Sequence, residues 1–129
     1  MITHLGDSLG FLAGTLALKL APQSDSDYSA AQLGLISGLL LALAQESERA
    51  VATRLADIDE IRELLPEDGL PAEPLSLHLQ DVTKLHAEAL QKLIELHTWA
   101  EQHDPALNDA IWAFLRRSAE RHAYNLPGV

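Results

Sequence analysis

The sequence predicts an all-α protein, an up-and-down four-helix bundle formed by a single domain over residues 1–129. Three observations favour this fold. Leu and Ala dominate the apolar residues, whereas the β-branched and aromatic residues that pack well in strands are scarce. Apolar positions recur at spacings of three and four residues, which is the period of a helix face. Proline-containing polar stretches separate these segments and mark helix ends.

Helix 1 is predicted from about Leu5 to Leu20. It ends before Pro22 and the polar residues 23–27, which form the first connection. A secretory signal peptide carries positive charge before its apolar run, whereas the first charged residue here is Asp7. We therefore interpret this segment as a folded helix.

Helix 2 is predicted to begin near Ser29, because Ser29 and Gln32 fit a capping box. No proline occurs until Pro66, so the helix would be about 55 Å long, with a kink as an alternative near residues 45–47. It outruns helix 1 and helix 4. An overlong helix carries apolar surface that its own bundle does not cover, and the sequence therefore predicts a homodimer.

The most apolar stretch of helix 2 runs from Leu33 to Ala44. It spans about 12 residues, fewer than the ~20 that cross a bilayer. We therefore expect it to be a buried core segment, and we expect no membrane partner.

The second half of the chain predicts two more helices. Residues 66–74 contain three prolines and a glycine and form the clearest loop. Helix 3 is predicted over residues 76–103. Asp104 and Pro105 then fit the N-cap and first position of helix 4, because proline has no amide hydrogen to leave unpaired there. Helix 4 is predicted to end near Tyr124.

The formal net charge of −10 disfavours partners whose surface is anionic, so we expect no nucleic acid and no lipid headgroup. The chain contains no Cys, which excludes disulfides, thiolate metal sites and Cys nucleophiles. An acidic, soluble, cytoplasmic protein is the expectation from this composition.

Glycines recur every fourth residue on both N-terminal helices: Gly6, Gly10 and Gly14 on helix 1, and Gly34 and Gly38 on helix 2. This spacing removes side chains from one ridge and allows another helix to approach closely. Interior glycines cost about 1 kcal/mol each relative to Ala, which close packing would offset. If the backbones of helices 1 and 2 meet at Gly10 and Gly38, a Leu at either site should lower the melting temperature.

Three histidines fall on or beside apolar helix faces: His86 and His97 on helix 3, and His122 on helix 4. His86 and His97 lie about 16 Å apart along one helix, so they cannot share an ion within one chain. No familiar ligand spacing occurs, and we expect no metal and no other cofactor. We predict half-buried histidines hydrogen-bonded to neighbouring helices. Alternatively, His86 or His97 is the polar contact of a pocket for a small apolar ligand.

One short motif near the end of helix 4 resembles the signature of a known protein family. Arg117, His122 and Tyr124 form the pattern R-x4-H-x-Y, with the small polar Ser118 after the Arg. This resembles the signature of HEPN-type helical ribonucleases, which are small α-bundles and often dimers. The resemblance implies that Arg117 and His122 act on RNA phosphate in a cleft between protomers. The charged residues 120–121 replace apolar positions of that family. Without the resemblance, the same residues form an amphipathic helix end with favourably placed arginines.

The charged residues of helix 2, from Glu46 to Glu63, are interpreted as a solvated face, and no pair of carboxylates is expected on an apolar face. The leading hypothesis is a non-catalytic helical bundle that acts through self-association or partner binding. A bundle that binds a small apolar ligand and a HEPN-like ribonuclease are the alternatives.

Overall fold

The computed structural model describes residues 4–66 and 69–126, and within them it contains helices and no strand. The four α-helices are α1 (Leu5–Thr15), α2 (Asp27–Leu64), α3 (Leu79–His103) and α4 (Pro105–His122). The predicted all-α class and the overlong second helix are confirmed. All 38 residues of α2 are helical, including residues 45–47.

The chain divides into two compact units, and α2 contributes to both. Unit 1 comprises residues 1–49 and 124–129, of which 4–49 and 124–126 are described, and unit 2 comprises residues 50–123. The single-domain assignment stays a prediction.

The connection between α1 and α2 differs from the predicted one. After Thr15 the backbone continues as a π-helical turn and a short 3-10 turn that ends at Gln23. Helix α2 then begins two residues before Ser29. The amide of Ser29 donates to the side-chain oxygen of Ser26 at 3.1 Å, so Ser26 supplies the capping oxygen. The predicted capping box of Ser29 with Gln32 is therefore wrong.

The predicted start of α4 is confirmed. The carboxylate of Asp104 accepts a hydrogen bond from the amide of Leu107 at 3.1 Å, and Pro105 is the first helical residue. The helix ends at His122, two residues before the predicted end.

Helix α3 begins at Leu79, three residues later than predicted. The hydroxyl of Ser76 accepts from the amide of His78 at 3.0 Å and donates to the carboxylate of Asp81 at 2.6 Å. Ser76 thus closes a turn before the helix, because its hydroxyl competes with the backbone for hydrogen bonds.

The hydrophobic core lies in unit 2, between the second half of α2 and helices α3 and α4. Its fully buried large side chains are Ile58, Ile61, Val82, Ile111 and Phe114. Burial of one such side chain contributes about 1.5–3 kcal/mol, so this cluster is the main source of stability for unit 2.

Unit 1 buries little. Its buried residues in the described part are Ala13, Ser37 and Ala44, and the hydroxyl of Ser37 donates to the carbonyl of Ala13 at 2.7 Å. Between Leu33 and Ala44, the side chains of Leu35, Ile36, Leu39 and Leu43 are 46–67% exposed. The prediction that this stretch is a buried core segment is therefore wrong.

The glycine ridges do not lie where α1 and α2 meet. A Cβ added at Gly10, Gly14, Gly34 or Gly38 would meet no neighbouring atom within 4 Å. Among the glycines of the two ridges, an added Cβ meets a neighbour at Gly6, where it contacts the flexible side chain of Glu48. Close backbone contact between the two helices at Gly10 and Gly38 is therefore a wrong expectation within the chain.

We expect Ile61→Ala to lower the free energy of unfolding by about 2–5 kcal/mol, because it leaves a cavity in the core. Ile94→Ala is the matched control, since Ile94 is also helical but 59% exposed. That variant should stay within about 0.5 kcal/mol of wild type. Urea unfolding followed by circular dichroism measures both, and equal losses would contradict the placement of the core.

Candidate functional sites

Unit 1 presents a large apolar surface. Of the 17 large apolar side chains that are exposed in the described residues, 11 belong to unit 1, whereas unit 1 holds only 2 of the 13 buried apolar residues. We call this surface the apolar face; its members are Leu5, Phe11, Leu12, Leu18, Leu20, Tyr28, Leu35, Ile36, Leu39, Leu43 and Tyr124. Large exposed apolar patches are uncommon on soluble monomers, which makes the apolar face a candidate interaction site.

A groove of about 440 Å³ lies within the apolar face. Its lining is Ala17, Gly34, Leu35, Ser37, Gly38, Leu39, Leu41 and Leu126. The two glycines contribute no side chain, so backbone is accessible along this part of α2. A groove of this kind can accept the side chains of a second helix.

Few charges border the apolar face. No charged residue occurs between Asp27 and Glu46, and residues 1–49 contain five acidic residues but only Lys19 and Arg49 as bases. By length and composition alone, α2 is apolar enough to cross a membrane, as are many core helices of soluble proteins. Only 6% of its apolar window is buried inside the protein.

Unit 2 contains a buried carboxylate, Asp57, that forms hydrogen bonds with side chains of two other helices. Its Oδ2 atom lies 2.9 Å from Nε2 of His86 on α3 and 2.7 Å from Nε2 of His122 on α4. The hydroxyl of Ser118 donates to the same oxygen at 3.1 Å, and the guanidinium of Arg121 donates to Oδ1. Asp57 therefore connects α2 to both α3 and α4.

A second carboxylate extends this cluster. Glu60, one turn after Asp57, accepts from Nε of Arg117 at 2.7 Å and from the guanidinium of Arg121. Arg121 thus bridges the two carboxylates, and the two cations balance the two anions. Asp57 is almost completely buried, whereas the side chain of Arg117 is about half exposed.

Both carboxylates are held ionised. Burial by itself would raise the pKa of Asp57, but the hydrogen bonds from His86, His122, Arg121 and Ser118 outweigh burial and lower that pKa below its ordinary value. Burial opposes the same effect at Glu60, whose pKa is lowered by Arg121 and Arg117. The hydrogen bond that Arg121 donates to Glu60 in turn raises the pKa of Arg121.

The predicted hydrogen bonds of the half-buried histidines are confirmed. His86 and His122 contact Asp57, and Nε2 of His97 lies 3.0 Å from the amide oxygen of Asn108 on α4. Neither His86 nor His97 lines the apolar groove of unit 1. The hypothesis that one of them is the polar contact of an apolar ligand therefore gains no support from that groove.

The residues of the R-x4-H-x-Y pattern face carboxylates. Arg117 is paired with Glu60 and His122 with Asp57, while the hydroxyl of Tyr124, in unit 1, donates to Glu46 at 2.9 Å. Negative charge next to each group disfavours an incoming phosphate. This geometry gives the ribonuclease hypothesis no support.

The sequence reasoning missed the cluster because it considered spacings within single helices. Asp57, His86 and His122 come from three helices, and their ligand atoms lie within 4.8 Å of one another, close enough to hold one metal ion. The statement that no ligand set has workable spacing is therefore wrong. Treating Asp57 as part of a solvated face was also wrong. The missed signal was its helical register, four residues from the buried Thr53 and Ile61.

Comparison with protein-family models, with curated proteins and with solved structures finds no match for this chain.

We expect Asp57→Asn to lower the free energy of unfolding at pH 7 by about 1.5–3 kcal/mol, because it removes the charge of a carboxylate that holds partners on two helices, although Arg121 keeps its second partner Glu60. A carboxyl whose pKa is lowered on folding stabilises the protein above its unfolded pKa of about 4, and this contribution is lost as the pH falls through the folded pKa. The difference between wild type and variant should therefore shrink below about pH 4.

Urea unfolding at several pH values between 7 and 2.5 measures this difference. Asp59→Asn removes a carboxylate from an exposed position of the same helix, and it should change stability by less than about 0.5 kcal/mol at pH 7. A difference between wild type and Asp57→Asn that stays constant across the pH range would contradict the role assigned to the carboxylate.

Proposed function

We propose that this protein is a non-catalytic assembly module that associates with a second copy of itself through the apolar face of unit 1. One observation carries the proposal: 11 of the 17 exposed large apolar side chains of the described residues belong to unit 1, which holds only 2 of the 13 buried apolar residues. Apolar area removed from water contributes roughly 25 cal/mol per Å², so covering this face would contribute binding free energy.

A second copy is the occupant that fits the composition of unit 1. Its main elements are α1 and the first half of α2, two helices that cannot enclose a core between them. Two such helix pairs supply the four helices of a bundle, in which each apolar stripe faces the others. A two-fold axis makes one patch complementary to itself, as most homodimers require.

The groove at Gly34 and Gly38 supports close approach. With no Cβ there, a helix of the second copy can approach the backbone of α2 more closely than side chains normally permit. Leu35, Leu39 and Leu41 line the groove and offer apolar contacts to such a helix.

The charge of unit 1 favours a protein partner over a membrane surface. Helices that lie on membranes are rich in Lys and Arg on their polar face, because these attract anionic lipid. Residues 1–49 contain only Lys19 and Arg49 against five acidic residues. A second copy carries the same acidic charges, but α2 has no charged residue between Asp27 and Glu46, so two copies can pack along this stretch without placing like charges opposite each other.

We expect wild-type protein to be a dimer at micromolar concentration and Leu39→Glu to be a monomer. Leu39 is 58% exposed, so the charge disturbs an interface but not the fold. Ile94→Glu is the matched control: it makes the same change at an exposed apolar position of α3, outside unit 1, and it should remain a dimer. Size-exclusion chromatography with light scattering measures all three.

A monomeric wild type at 100 µM, or loss of the dimer in both variants, would refute the proposal. Flotation with phosphatidylcholine vesicles and with vesicles containing phosphatidylserine tests the membrane alternative. Wild-type protein that is monomeric in solution and floats with either vesicle would assign the apolar face to lipid instead.

Substitutions at Gly38 test the effect of this glycine on association separately from its effect on folding. Because a Cβ at Gly38 meets open space within the chain, Gly38→Ala should raise the stability of the monomer by about 0.4–1 kcal/mol. Gly38→Leu should fill the groove and weaken the dimer without unfolding the monomer. We expect thermal melts in the Leu39→Glu background to show the first effect and light scattering of the single variant the second. A lowered monomer melting temperature for Gly38→Ala would contradict both expectations.

A further inference from the structure

We propose that Asp57, His86 and His122 form a binding site for a divalent first-row transition-metal ion in unit 2. The three ligand atoms, Oδ2 of Asp57 and Nε2 of each histidine, all lie within 4.8 Å of one another. Two imidazoles and one carboxylate are a ligand set that suits iron, manganese, cobalt, nickel and zinc.

The number of contacts at Oδ2 is the first argument for an ion. A carboxylate oxygen offers about two lone-pair sites, but three groups lie within hydrogen-bond distance of Oδ2: His86, His122 and Ser118. One metal ion bound by both imidazoles would occupy one lone pair, and the hydroxyl of Ser118 would donate to the other. The site is therefore better matched to an ion than to two separate imidazole hydrogen bonds.

The distances give the second argument. Ligand atoms that each lie about 2.1 Å from an ion stand about 3.0 Å apart when the ligands meet at right angles. The two imidazole nitrogens lie 2.9 and 2.7 Å from Oδ2. These two separations fit a five- or six-coordinate ion on which each imidazole stands beside the carboxylate, with the two nitrogens themselves within 4.8 Å of each other. Both histidine side chains are partly exposed, so water reaches the site.

Neighbouring groups hold the carboxylate in place. Arg121 binds Oδ1, the oxygen that the ion does not use, and is itself held by Glu60. Hydrogen-bonded partners of a ligating carboxylate fix its orientation and typically change metal affinity by about 10–100-fold. Arg121 and Ser118 act in this way as positioning residues.

The test uses untagged full-length protein, because a polyhistidine tag binds the same ions. We expect isothermal titration with Zn²⁺ and with Co²⁺ to give one site per chain. His86→Gln and His122→Gln keep an amide donor for Asp57 but remove the imidazole, and each should weaken binding by about 100-fold or more. His97→Gln is the matched control: it alters a histidine that contacts Asn108 instead, and it should bind as wild type does.

A measurement on wild type alone keeps the proposal testable if the variants do not fold. Co²⁺ is paramagnetic, so its binding should shift the ring resonances of His86 and His122 far more than those of His97. Saturating Zn²⁺ at about 100 times its dissociation constant should raise the melting temperature by about 10 °C.

Each result of these measurements either supports or overturns the proposed metal site. Absence of uptake by wild type at 100 µM Zn²⁺, Co²⁺, Mn²⁺ or Fe²⁺ would show that the three residues form hydrogen bonds only, and it would overturn the proposal. Equal affinity of His86→Gln and wild type, or an equal loss in His97→Gln, would place any bound ion elsewhere and would overturn it too. The self-association of unit 1 is tested separately, so neither result depends on the other.

Discussion

The buried carboxylate of Asp57 is the interaction on which the arrangement of unit 2 depends. Removing an ion from water costs several kcal/mol, and the cost is offset only when charged and polar partners surround it. Here those partners come from α3 and α4, so the three helices must hold one register for all of them to reach the same carboxylate. The hydrophobic effect around Phe114 is non-directional, whereas this set of hydrogen bonds requires defined distances and angles.

The two units differ in how much of their apolar surface they bury. In unit 2 three helices surround Ile61, Ile111 and the other core residues, so the chain supplies its own cover. In unit 1 the same proportion of Leu and Ala is spread over two helices, and most of the large side chains remain in water. Under the proposed association, folding of unit 2 is complete within one chain, while unit 1 is completed by a partner. Stability of unit 1 would then depend on protein concentration, as in obligate dimers.

The sequence predicted features that depend on local chemistry and missed those that depend on neighbouring helices. The cap at Asp104 and Pro105 was predictable, because it involves one turn of backbone. The half-buried positions of His86 and His97 followed from the periodicity of α3. The stretch from Leu33 to Ala44 was misassigned. Its hydrophobicity favours burial, but it does not indicate whether this chain or another molecule covers the stretch. Asp57 was missed since its charged neighbours on α2 concealed a single inward-facing position.

The glycines of α1 and α2 relate the exposed apolar face of unit 1 to the proposed association. Four interior glycines cost about 4 kcal/mol of helix propensity in total, a large part of the stability of a small domain. Within the chain nothing packs against Gly10, Gly14, Gly34 or Gly38, so no contact in the described structure offsets this cost. Alanine at the same positions would give stronger helices and fit without a clash. Keeping glycine there is therefore physically useful only if another backbone approaches α1 and α2. That requirement points to the groove at Gly34 and Gly38 as the place where a second backbone would approach. It would account for the shape of the apolar face as well as for its hydrophobicity.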